Sequence, residues 1–126
     1  MPLSPRDYTR LKGVDSRLVF VAELAYNRIK QELPGVLMFI TEGLRTKERQ
    51  AKLVQAGASR TMKSKHIDGK AFDFALMVGD EVRWDWPLYA KAGAIIKAAA
   101  EDHGIPIVWG GDWKKFRDGP HVELKV

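Results

Sequence analysis

A chain of 126 residues is long enough to bury a core in one domain, and the absence of cysteine excludes both a disulfide frame and a thiolate metal site. A formal net charge of +5, from 21 basic and 16 acidic side chains, favours an anionic partner such as nucleic acid, a membrane surface or an acidic polymer without choosing among them. No run of about 18 apolar residues occurs and no basic-then-apolar leader follows Met1, so the expectation is a protein made in the cytoplasm without a signal peptide and without stable membrane insertion.

Helical periodicity begins at residues 15–33, where Leu18, Val19, Val21, Ala22, Leu24, Ala25 and Ile29 recur at helical spacing and Asp15 or Ser16 can cap. Pro34-Gly35 stops this helix, and residues 36–40 read as a buried strand. A second helix is expected over 46–55, capped by Thr46 and ended by Gly57. Arg45 lies at the strand-to-helix junction, where a guanidinium can clamp a substrate carboxylate, and Gln50 one turn on can bond an amide; a surface Arg and a solvated Gln are the alternative. The loop 58–65 carries Arg60, Lys63 and Lys65, a solvated cluster that beside a cleft would also concentrate an anionic substrate.

The odd spacing of His66 and Asp73 would put them on opposite faces of one straight strand, so a turn at Asp68-Gly69 must intervene before a strand over 71–78. On that strand Phe72, Phe74 and Leu76 face one way, while Asp73 shares the other face with Ala71 and Ala75. Gly79-Asp80 predicts a hairpin into residues 81–84, and Pro87 opens a third helix over 87–103 that ends at Gly104. His103, in its last turn, reads as structural. Residues 105–109 read as a short strand, followed by an aromatic and glycine cluster that suits a groove floor or core anchors.

The last strand, 120–126, alternates so that Val122, Leu124 and Val126 face the core and His121, Glu123 and Lys125 face away. If it neighbours the Asp73 strand, His66, Asp73 and His121 supply three nitrogen and oxygen donors and leave a fourth position open, as a hydrolytic zinc site requires. Asp118, held on the turn before Pro120, then fits a general base. Glu123 is a candidate for orienting an imidazole, with a solvated strand acid as the alternative.

The segment Ser64-x-His66-x-x-Gly69-x-Ala71-x-Asp73, with Trp109-Gly110-Gly111-Asp112-Trp113 and Asp118-x-x-His121-x-Glu123-Leu124, resembles the peptidoglycan-cleaving zinc peptidases of the D-alanyl-D-alanine carboxypeptidase superfamily. Within it the resemblance is closest to the L-alanyl-D-glutamate endopeptidases used as bacteriophage endolysins, and it extends over about residues 40–124. It implies one zinc ion on His66, Asp73 and His121, with Asp118 as catalytic acid and base. Arg45 and Gln50 match the family's substrate-side pattern, and Ser64 its position before the first ligand. The implied partner is the wall stem peptide, cut by a monomer that reaches the wall after holin-type release.

Three other readings stand beside this one. A D-alanyl-D-alanine carboxypeptidase or dipeptidase would use the same scaffold on another bond, and a zinc-containing wall-binding module would lack turnover. A nucleic-acid binder is suggested by charge but has neither a recognition helix nor an aromatic single-strand platform, so nucleic acid is not an expected partner. The expected fold is α+β, a single catalytic domain over 1–126, with about three helices on one side of a small, mainly antiparallel sheet and the zinc cleft on the other.

Overall fold

The computed structural model describes residues 3–59 and 62–125, so Arg60 of the expected cationic loop and Val126 of the expected last strand lie outside the described residues. The elements follow in the order α1 (Pro5–Arg10), α2 (Ser16–Glu32), β1 (Val36–Glu42), α3 (Lys47–Gln55), β2 (Ala71–Val78), β3 (Glu81–Arg83), α4 (Trp86–Asp102), β4 (Ile107–Trp109) and β5 (His121–Leu124). The strands make one antiparallel sheet in the order β1-β2-β5-β4, with β3 hairpinned onto the end of β2.

Alternation on β2 decides the two sides of the sheet. Phe72, Phe74 and Leu76 are fully buried against α2, which presents Leu18, Val21, Ala22, Ala25 and Ile29, and against α4, which presents Tyr89, Ala92, Ile96 and Ala100. Phe74 stacks on Tyr89 with ring centroids 5.7 Å apart. Burial of each such large side chain contributes roughly 1.5–3 kcal/mol, so this side holds the fold together and leaves the Asp73 side available for chemistry. The α+β architecture is the expected one, with α3 bordering the cleft through Arg49 and Leu53.

The short α1 departs from the expected element list, because six residues are too few to show a period. Its signal lies in the cap: Ser4 Oγ accepts from Asp7 N–H, the Asp7 carboxylate accepts from Ser4 N–H, and Pro5 occupies the first turn. The helix closes the open edge of β1, where Asp7 Oδ1 accepts from Ile40 N–H at 2.8 Å and Arg10 Nη1 donates to Ile40 O at 2.9 Å.

One irregularity in β1 matters for the site. Val36 to Ile40 pair in steady register with Val78 to Phe74, but the next pair is Glu42 with Asp73, so Thr41 is bulged out. Met38 and Ile40 face the core, and regular alternation would send Glu42 there too. The extra residue turns Glu42 onto the cleft face instead.

Candidate metal centre

The sheet lines up Glu42, Asp73 and His121 as direct cross-strand neighbours on β1, β2 and β5. His66 reaches the same place from the turn that precedes β2. There Gly69 adopts φ +70°, and a Cβ on it would meet Gly13 O at 2.3 Å, so this turn can press against the start of α2. Asp15 N–H donates to Gly69 O at 2.8 Å, and Arg45 N–H donates to His66 O at 2.9 Å, which fixes the backbone at the histidine and at the turn that follows it.

Two ring nitrogens converge on one oxygen. His66 Nε2 lies 3.1 Å and His121 Nδ1 lies 3.0 Å from Asp73 Oδ1. The outer nitrogens decide the tautomers: His66 Nδ1 is 2.8 Å from Gly43 O, and His121 Nε2 is 2.8 Å from Glu123 Oε1. Both partners are acceptors only, so each outer nitrogen carries the hydrogen. A neutral ring therefore aims a lone pair at the Asp73 carboxylate from each side, an arrangement that needs a cation between them, whether proton or metal ion. One donor atom from each of His66, Asp73 and His121 lies within 4.8 Å of the others, so the residues fit a mononuclear divalent ion.

The same contacts set the charge states of Asp73 and His121. Burial alone would push Asp73 up, but hydrogen bonds from His121 and His66 and their charges outweigh it and hold this carboxyl well below the usual range. Burial pulls His121 down, yet the bonds to Asp73 and Glu123 dominate and raise it to about 9. Glu123 is lowered despite its own desolvation, first by His121 and then by Lys65, whose Nζ is 3.1 Å from Glu123 Oε2.

Asp118 lines the same cleft, half-buried, on the turn into β5. Desolvation and the charge of Asp73 raise its pKa, against the opposing pull of His121, His66 and Arg45. The turn is held by Asp118 N–H donating to Gly110 O at 3.0 Å and by buried Trp109 Nε1–H donating to Gly119 O at 2.7 Å. A Cβ on Gly110 would stand 2.3 Å from Asp118 O, which explains glycine after Trp109. Trp109 is thus an anchor beneath the site, while Trp113 packs beside His121 with ring centroids 5.1 Å apart.

The substrate-side candidates are placed less uniformly. Arg45 lines the cleft with its side chain 9% exposed; its Nε and Nη2 bond Glu42, and Nη2 is 3.8 Å from Asp73 Oδ2. Gln50, expected either to bond an amide or to be solvated, is instead fully buried: its Oε1 accepts from Arg45 Nη1 at 2.6 Å and its Nε2 donates to Ser59 Oγ at 2.8 Å. Ser64 lines the cleft, with its Oγ accepting from His66 N–H at 3.2 Å. The cleft, about 780 Å³, is rimmed by Arg49, Lys63, Lys65 and Arg117, with Phe116 exposed at its mouth. Sequence reasoning passed over Glu42 and Gly43, since a bulge and a single carbonyl leave no periodic signal.

An open antiparallel sheet carrying two imidazoles, one carboxylate and a neighbouring half-buried acid defines an α+β protein with a candidate mononuclear metal centre. The chain belongs to the phage L-alanyl-D-glutamate peptidase family, which it matches over residues 1–125. It is 41% identical over 93 residues to the L-alanyl-D-glutamate peptidase of Listeria phage A118, covering 74% of this chain and 32% of the relative. It is 31% identical over 106 residues to the peptidoglycan L-alanyl-D-glutamate endopeptidase CwlK of Bacillus subtilis (strain 168), covering 71% of this chain and 62% of that protein. The chain therefore spans about a third of the length of the first of these relatives and under two thirds of the second. The crystal structure of the Serratia marcescens L-Ala D-Glu endopeptidase ChiX superposes with a TM-score of 0.84 at 38% identity, covering 97% of this chain and 88% of that one.

Proposed function

We propose that this chain is a zinc-dependent peptidoglycan endopeptidase, a single catalytic domain that hydrolyses the amide between L-alanine and D-glutamate in the wall stem peptide. The observation that carries the reading is the convergence of His66 Nε2 and His121 Nδ1 on Asp73 Oδ1 within a cleft that also holds Asp118. His66, Asp73 and His121 would hold the ion, and a set with two imidazoles favours zinc over harder cations. When bound, zinc supplies Lewis acidity, polarising a carbonyl and lowering the pKa of water toward about 7.

The chain's own residues supply the rest. Asp118, its pKa raised by burial and by Asp73, takes a proton from the attacking water and delivers it to the leaving D-glutamate nitrogen, so that cleavage yields a new carboxylate and a new amine. Glu123 keeps the hydrogen on His121 Nε2 and so keeps Nδ1 turned inward. Arg45 and Ser64 are assigned to the substrate side of the cleft, with Gln50 acting through Arg45. The basic rim suits an anionic wall polymer. No described helix is long and apolar enough to cross a membrane.

Digestion of purified peptidoglycan followed by mass analysis tests the assignment. New N-terminal D-glutamate is the expected product; released D-alanine would transfer the chain to the carboxypeptidase reading, and an undigested wall would leave only a binding module.

A further inference from the structure

We propose that Glu42 is a positioning residue for the metal centre: it holds the Arg45 guanidinium off Asp73 and so leaves the Asp73 carboxylate available to the cation. This rests on the metal reading of His66, Asp73 and His121 given above. Glu42 reaches the cleft face only because Thr41 is bulged, and it stands directly across from Asp73. Two like charges in that relationship are unfavourable unless a cation intervenes. Arg45 is that cation. Its Nε donates to Glu42 Oε1 at 2.8 Å, its Nη2 bonds the same oxygen, and the same Nη2 is 3.8 Å from Asp73 Oδ2. On the outer side, Arg49 Nε donates to Glu42 Oε2 at 3.0 Å and fixes the carboxylate in place.

Two carboxylates thus compete for one guanidinium, and Glu42 holds it. An arginine deprived of its partner in a site this enclosed seeks another carboxylate, preferably through two parallel bonds. Asp73 Oδ2 is already at 3.8 Å. Closure of Arg45 onto Asp73 would draw the carboxylate away from His66 Nε2 and His121 Nδ1 and neutralise the charge a divalent ion needs. Gln50 Oε1, on Arg45 Nη1 at 2.6 Å, restrains one end of the guanidinium but carries no charge to replace Glu42.

Because Glu42 acts through Arg45, its loss is harmless once Arg45 is gone, and this distinguishes it from a general structural residue. The test is zinc affinity by competition with a chromophoric chelator, on the full chain, for wild type, Glu42→Ala, Arg45→Met and the double variant, with thermal melts of the metal-free proteins. Glu42→Ala is expected to weaken zinc about 10- to 100-fold, the range for residues that orient metal ligands. Adding Arg45→Met is expected to restore affinity to within about threefold of wild type, as coupled neighbours are not additive. Wild-type affinity in Glu42→Ala, or a double variant as weak as Glu42→Ala, overturns the inference. Should Glu42→Ala fail to fold, Glu42→Gln carries the same comparison. A wild type that binds no zinc overturns the metal reading itself, whereas tight wild-type binding with an unaffected Glu42→Ala sinks only the role of Glu42.

Discussion

Asp73 and His121 face one another directly across β2 and β5, and Asp73 Oδ1 stands 3.0 Å from His121 Nδ1. Strand pairing therefore presets the distance between two of the three donors. The third, His66, comes from a turn, and its ring is set by the carbonyl of Gly43 at 2.8 Å.

Metal binding should stabilise the fold. Zinc at a hundredfold over its dissociation constant contributes about 2.7 kcal/mol to a protein that binds it only when folded. For a chain of 126 residues that corresponds to a rise in Tm on the order of 10 °C. Calorimetric scans with zinc and after chelation measure it, and His121→Ala should remove the rise.

In the metal-free protein His121 is raised to about 9. Its contribution to stability is present in full below the unfolded imidazole value near 6.5 and is lost as pH climbs through about 9. Asp73, depressed, adds stability that is present above the unfolded carboxyl value near 4 and is lost on acidification below it. Zinc must displace the His121 proton, so at pH 7 binding should release a proton and affinity should strengthen toward pH 9. Titration calorimetry in two buffers of different ionisation enthalpy reads this directly; buffer-independent heats would contradict it.

Asp118→Ala should reduce wall hydrolysis by about 10²- to 10⁴-fold while leaving zinc affinity within a few-fold of wild type, since this carboxyl is assigned to proton transfer and not to the ion. Turbidity clearance alongside chelator competition separates the two effects. Equal lysis by the variant would remove Asp118 from the mechanism.

Glu123→Gln should weaken zinc by about 10-fold or more, because an amide can turn its NH₂ toward His121 Nε2 and favour the wrong tautomer. The same change weakens one of the contacts of the Lys65 ammonium, which is 3.1 Å from Glu123 Oε2 and also donates to Leu124 O. Chelator competition at fixed pH checks the prediction, with metal-free Tm as the control for folding.

Gly93→Ala tests how the core supports the site. A Cβ there would come within 2.3 Å of the Trp109 ring, which donates to Gly119 O under the Asp118 turn. Overpacking of this kind costs about 1–3 kcal/mol, and a shifted Trp109 should lower activity as well. Urea denaturation and wall clearance should fall together; a destabilised but fully active variant would uncouple the anchor from the site.

Much of this was legible in the chain because it rests on local rules. Period two on residues 71–78 and 120–126 separates core from cleft face, and it put Asp73, His121 and Glu123 on the polar side before any strand was paired. Helix caps at Asp15 and Thr46 and the turn at Gly69 are equally local. What only the tertiary structure decided is which polar groups meet. Thr41 bulges out of the β1–β2 pairing and brings Glu42 to Asp73, and a fold that buries Gln50 makes it a support for Arg45. Pattern along a chain specifies the face a side chain takes, whereas the register between strands and the depth of a helix arise from packing among residues far apart in sequence.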